Sequence, residues 1–137
     1  MDKSIMLFAA LVATTALQAA DNAPTRNRDA EKAVDAALLS WSRSEWVADQ
    51  YIAGTARQTD EKATPDGLIV GGTFKFSRFN GPPMELPFAA LLERSEGRLS
   101  VLDVCYNDAA RRDISCRSTG TPFARELLEK AIQGGLR

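Results

Sequence analysis

The chain has 137 residues, with 17 Lys and Arg against 18 Asp and Glu, a formal net charge of -1 and no histidine. That length holds one domain with a single modest core, and charges of both signs are interspersed, so no basic stripe exists to neutralise a run of phosphates and nucleic-acid binding has little support. The absence of histidine excludes Ser-His-Asp and Cys-His catalysis and removes the commonest metal ligand; neither a metal nor a cofactor is expected.

The chain begins with a short polar stretch carrying Lys3, then an apolar run that opens at Ile5 and closes at Leu17, then Gln18-Ala19-Ala20. This is the layout of a secretory signal peptide. The run is shorter than the roughly 18 apolar residues that a spanning helix needs, and no second run of that length follows. No cysteine stands where a lipid attachment would need one. The expectation is residues 1–19 as signal peptide, cleavage near Ala19/Ala20, and a periplasmic or secreted product with no stable membrane insertion. Residues 20–27, polar and containing Pro24, read as a flexible lead. Residues 28–137 read as a single α+β domain.

From Arg28 the apolar residues Ala30, Ala33, Val34, Ala37, Leu38 and Trp41 recur at helical spacing, with Asp29, Glu31, Lys32 and Asp35 assigned to the opposite face. The change from helix to extended chain is placed near Asp49. Residues 50–58 read as a strand, and residues 59–67, with Pro65 and Asp66-Gly67, as a loop and turn. Leu68, Val70, Phe74 and Phe76 alternate along a long strand in which Gly71-Gly72 predicts a bulge or bend. After Asn80-Gly81-Pro82-Pro83, the residues Met84, Leu86, Phe88, Ala90 and Leu92 alternate along a third strand. Ser95-Glu96-Gly97 turns into a fourth, which places Leu99 and Val101 on one face and Leu102, Val104 and Tyr106 on the other. Thr121 followed by Pro122 predicts the start of a second amphipathic helix carrying Phe123, Leu127, Leu128, Ala131 and Ile132 and closed by Gly134-Gly135. Cys105 and Cys116, the only cysteines, are expected to form one disulfide in an oxidising compartment.

The fold class is therefore α+β: an N-terminal helix packed on a curved four-stranded antiparallel meander, plus a C-terminal helix. This order, with Gly72-Thr73-Phe74-Lys75-Phe76, the Pro87-Phe88 strand and the Glu93-Arg94 to Gly97 turn, resembles the nuclear-transport-factor-2-like and cystatin-like fold group over residues 28–107. In the first of these the resemblance implies a cone-shaped sheet whose open end holds a small ligand, an active site or a partner's loop. Its members include enzymes, binding modules, secretion-system components and toxin-neutralising proteins. Gln50-Tyr51-Ile52-Ala53-Gly54 also resembles the Q-x-V-x-G hairpin that cystatins wedge into papain-like proteases, with Ile52 in place of valine. The later Pro-Trp wedge has no counterpart, since Trp41 and Trp46 both lie upstream, and the plainer reading is a strand ending at Gly54.

Asp49, Glu93, Asp103 and Tyr106 are the polar groups expected at a pocket. Asp103 interrupts the apolar set Leu99, Val101 and Cys105. A carboxylate in an apolar cavity has a raised pKa and can serve as general acid or base, with Tyr106 as a hydrogen-bond donor to an oxyanion. A structural role, facing solvent or pairing with Arg78 or Arg94, is preferred, because spacing fixes no second catalytic group. No catalytic residue is assigned beyond that weak candidate. Arg111 and Arg112, in the cysteine loop, and Tyr106 beside it are the expected partner contacts. The function expected is an exported, non-catalytic protein-binding module, such as an inhibitor, an immunity protein or an envelope-assembly accessory. The alternative is a small-ligand-binding or isomerase-like protein using a pocket carboxylate.

Overall fold

The computed structural model describes residues 26–108, 113–117 and 120–136. The expected signal peptide, residues 1–19, most of the lead that follows it, and both Arg111 and Arg112 lie outside the described residues. The elements run α1 Arg28–Glu45, β1 Asp49–Tyr51, β2 Arg57–Thr64, β3 Gly67–Arg78, β4 Pro83–Ser95, β5 Arg98–Asp108, β6 Asp113–Cys116 and α2 Pro122–Gly134. The class is α+β, with a curled antiparallel sheet between two helices.

Helix α1 starts where its chemistry requires. Asn27 takes an extended conformation and its side chain accepts the Ala30 N–H at 3.0 Å, supplying one of the orphan donors of the first turn. The buried stripe is Ala30, Val34, Leu38 and Trp41, but it also contains Glu31, which the helical pattern had placed outside. Glu31 stays charged there because Arg26 grips it through two hydrogen bonds, of 2.9 and 2.7 Å, and the Gln58 N–H adds a third at 2.8 Å.

The sheet has six strands rather than four, in the order β1-β3-β4-β5-β6, with β2 sharing β3's outer edge with β1. Residues 59–64, read as loop, are strand: the sequence Thr-Asp-Glu-Lys-Ala-Thr buries almost nothing, so it lacks the apolar alternation that marks a strand. Its charges suit an outermost strand, where they discourage pairing with another chain. The sixth strand, β6, was hidden in the cysteine loop; Cys105 and Cys116 face each other directly across β5 and β6 and are joined by the expected disulfide.

Two bulges curl the sheet. The bend expected at Gly71-Gly72 arises across from them, where Thr59 is the extra residue of β2 between the pairs Gln58↔Gly72 and Asp60↔Gly71. The other is at Leu102, between Leu92↔Val101 and Leu91↔Asp103. This second bulge reverses the alternation of β5. Leu99 and Val101 therefore lie on the same face as Val104 and Tyr106, under α1, and not opposite them. Turn chemistry closes the β4–β5 hairpin at Glu96 and Gly97, whose φ values of 53° and 77° match the twist of two-residue hairpins.

The core is split by the sheet. On the α1 side, Ala30, Val34, Leu38 and Trp41 pack on Leu68, Val70, Phe74, Phe76, Phe88, Ala90, Leu92, Val104 and Tyr106. On the other side, Leu128 of α2 covers Ile69, Ala89 and Cys105. Thr121 caps α2 through a 3.2 Å bond from Ala124 N–H, as the Thr-Pro pair predicts. Phe123, expected on its buried face, points outward. Among the described residues no helix is long and apolar enough to cross a membrane.

Candidate functional site

The end of the sheet beneath the C-terminus of α1 gathers most of the aromatic side chains. Helix α1 stops at Glu45; Trp46 turns to an extended conformation while its N–H still reaches Ser42 O at 3.2 Å. That turn folds the Trp46 ring back under the helix. Its centroid lies 5.5 Å from Trp41 and 5.5 Å from Tyr106, and Trp41 and Tyr106 are 5.3 Å apart, in the tilted and edge-on arrangements that ring quadrupoles favour. These three rings form one wall of an open cavity of about 360 Å³, rimmed by Glu45, Val47, Asp49, Ser115 and Cys116. Tyr106 is only 6 % exposed, so it is a wall of this cavity and not a projecting anchor.

Next to the cavity Arg78 is held between two carboxylates. Its Nε and Nη2 donate to Asp49 at 2.9 and 3.1 Å, and Nη2 also donates to Asp108 at 2.8 Å. The guanidinium lies 5.1 Å from the Phe76 ring centroid. The hydrogen bonds that Arg78 donates to Asp49 and Asp108 push its pKa up, so the cation is permanent and ties β1, β3 and β5 together at this end. Arg78 thus pairs with Asp49, which the sequence marked as a pocket group, and not with Asp103.

The same end carries exposed apolar side chains that sequence reasoning passed over. Val47 is 99 % exposed and Phe79 is 78 % exposed, and the Phe79 N–H bonds Ala48 O at 2.9 Å, which brings their two segments together. Phe79 sits at φ 53°, a left-handed conformation that costs about 1–2 kcal/mol for a residue with a side chain. A bulky aromatic there contributes little to the core. The available signal was a phenylalanine directly before Asn80-Gly81, a turn position that usually takes polar or small residues. Met84, opposite Phe76 in the next strand, is also exposed. Strand β4 pairs with β5 only from Phe88 onward, and Pro83 and Pro87 remove two of the N–H donors from its unpaired stretch. The surface therefore offers side chains for contact, not a strand edge to extend.

Asp103 and Tyr106 are not brought together. The Leu102 bulge sends Asp103 to the α2 face, where it is 0 % exposed, while Tyr106 lies on the α1 face. Burial pushes the Asp103 pKa up, against the Val104 N–H that donates to Oδ1 at 2.8 Å and the charge of Arg117. Glu93 is exposed, paired in register with Ser100. The cystatin-like pentapeptide takes the end of β1, Gln50 and Tyr51, and the corner that follows it, anchored to α1: Asp35 accepts the Tyr51 hydroxyl and, at 2.6 Å, the Gly54 N–H. A corner tied down in this way does not project as a wedge. Among the described residues no cluster of three or more Asp, Glu or Cys side chains converges so as to hold a metal ion. Compared with known proteins, the chain matches no family model, and no curated protein or solved structure matches it.

Proposed function

We propose that this chain is an exported, non-catalytic protein-binding module of nuclear-transport-factor-2-like or cystatin-like architecture, acting as an inhibitor, an immunity protein or an accessory of an envelope assembly. The observation that carries the reading is a pair of exposed apolar side chains, Val47 on the rim of the aromatic cavity and Phe79, whose segment is bonded to the next rim residue, Ala48. Large apolar side chains held outside the core, one of them in a strained backbone, are better explained by a contact made with another molecule than by folding. The apolar run between Ile5 and Leu17 and the Cys105–Cys116 disulfide support an oxidising, periplasmic or extracellular location. The test is a pull-down from envelope extract with the oxidised protein beside Phe79→Asp and Val47→Asp. A stoichiometric partner lost in both variants is expected; a partner retained by both would remove the surface from consideration, and the absence of any partner would count against the module.

The alternative, binding of a small ligand, draws on the cavity itself. The carboxylates at its rim are Glu45 and Asp49, so a ligand reading runs through those groups and the Trp41, Trp46 and Tyr106 wall in place of Asp103. Quenching of tryptophan fluorescence by a small molecule, unaffected by Phe79→Asp, would favour it.

A further inference from the structure

The underside of the sheet holds a carboxylate with an unusual environment. Asp103 is fully buried; its Oδ1 accepts the Val104 N–H, but among the described residues its Oδ2 has no hydrogen-bond partner. Oδ2 lies against Gly120 so closely that a Cβ there would stand 1.9 Å away, so no other residue fits. Two cations face the group, Arg117 after β6 and Arg125 on α2. Neither satisfies it. Arg117 Nε is 3.7 Å from Oδ1 and has no hydrogen-bond partner among the described residues, while Nη2 donates at 3.0 Å to Leu102 O on the bulge; Arg125 Nη2 donates at 3.3 Å to Arg117 O. Asp103 therefore sits under the residues that lead into α2: Arg117, whose N–H bonds Val104 O at 3.4 Å, Gly120, and the cap Thr121.

We infer that Asp103 is a proton-operated latch for α2: protonated, it lets Gly120 and α2 close over the Ile69, Ala89 and Cys105 face, and ionised, it favours their release. A buried carboxylate oxygen without a donor carries the full cost of desolvation only when charged. Lifting the chain around Gly120 gives that oxygen water. Release uncovers the face that Leu128 covers, including the otherwise buried Cys105 of the disulfide. Burial raises the folded-state pKa, so the native state binds the extra proton, and docking is tightest below the ordinary aspartate pKa and weakens as pH rises through the raised value. The chain has no histidine, so the usual titrating side chain of the range pH 5 to 8 does not contribute.

Hydrogen exchange of the α2 amides in the full oxidised protein, corrected for intrinsic rates and compared at pH 4.5, 6 and 7.5, tests this. Wild-type protection in α2 is expected to fall with rising pH, by no more than about tenfold per pH unit, the limit for one linked proton. Asp103→Asn should be flat over that range and at least as protected at pH 7.5, with α1 unchanged in both. The same profile in wild type and variant, or no pH dependence in wild type, would overturn the latch. Should Asp103→Asn fail to fold, carboxyl carbon-13 titration of the wild-type protein decides: a midpoint for Asp103 above the ordinary aspartate value upholds the proposal, and one at or below that value overturns it.

Discussion

The two faces of the sheet are built from opposite materials. Under α1, Phe74 alone has ring neighbours Trp46, Tyr51, Phe76, Phe88 and Tyr106 within 6.4 Å, and the buried carboxylates are matched, Glu31 by three hydrogen bonds and Asp49 and Asp108 by Arg78. Under α2, the buried set is Ile69, Ala89, Cys105 and Leu128, and the charged group beside it lacks, among the described residues, a donor for one oxygen. A face with large interlocked rings and a satisfied charge resists opening; a face with small side chains and an unsatisfied charge is where local opening starts. The molecule thus combines a rigid platform for the exposed Val47 and Phe79 with a helix whose docking is conditional.

The sharpest way to break that contrast is to hollow out the stronger face. Phe74→Ala should cost about 3–5 kcal/mol, removing most of the stability of a domain this size. Denaturant unfolding reads it, and a loss under about 1.5 kcal/mol would mean that the aromatic cluster is looser than its geometry. Replacing both cysteines by alanine should cost about 2–3 kcal/mol through the short loop the bond closes. Exchange should rise first around β5, β6 and α2; uniform acceleration including α1 would show that the two faces open together. Phe79→Gly should raise stability by up to about 1 kcal/mol by relieving the left-handed backbone while weakening capture of a partner, two effects of opposite sign that a structural role for Phe79 does not produce.

The finest test uses acid. Hydrogen bonds from Arg26, then the Gln58 N–H, hold the Glu31 carboxyl below the usual glutamate range. Its contribution is present above the unfolded-state pKa and is lost as pH falls through the folded one, so Glu31→Gln should remove part of the stability lost between pH 5 and 3. Asp103 has the reverse sign. Urea titrations of wild type and Glu31→Gln at pH 3, 4 and 6 should converge at the acid end; curves that stay parallel would mean that Glu31 gains nothing from its partners.

Much of this arrangement is legible in the sequence. Helical spacing gives α1 from Arg28, alternation gives the three long strands, and Thr121-Pro122 gives the start of α2, because each rests on local rules. What escapes depends on pairing. Strand β2 is polar because it lies at an edge, β6 is too short for a period, and a single extra residue at Leu102 reverses which face every later residue of β5 occupies. That slip is why Asp103 reads as a companion of Leu99 and Val101 but lies on the opposite face from them, whereas Asp103 and Tyr106, three positions apart after the bulge, are separated by ordinary alternation. Val47 and Phe79 were missed because an exposed apolar residue announces itself only once the surface is known.

The disulfide has a kinetic consequence. It joins strands adjacent in the chain and paired directly with each other, and the sequence holds no third cysteine. A hairpin of this kind forms in about 1–10 μs, far faster than thiols are oxidised, so both sulfur atoms meet repeatedly before any long-range strand pairing is needed. With only one bond to make, oxidation has no mispaired product to undo, and the chain can acquire its covalent link from a general oxidant without help from an isomerase.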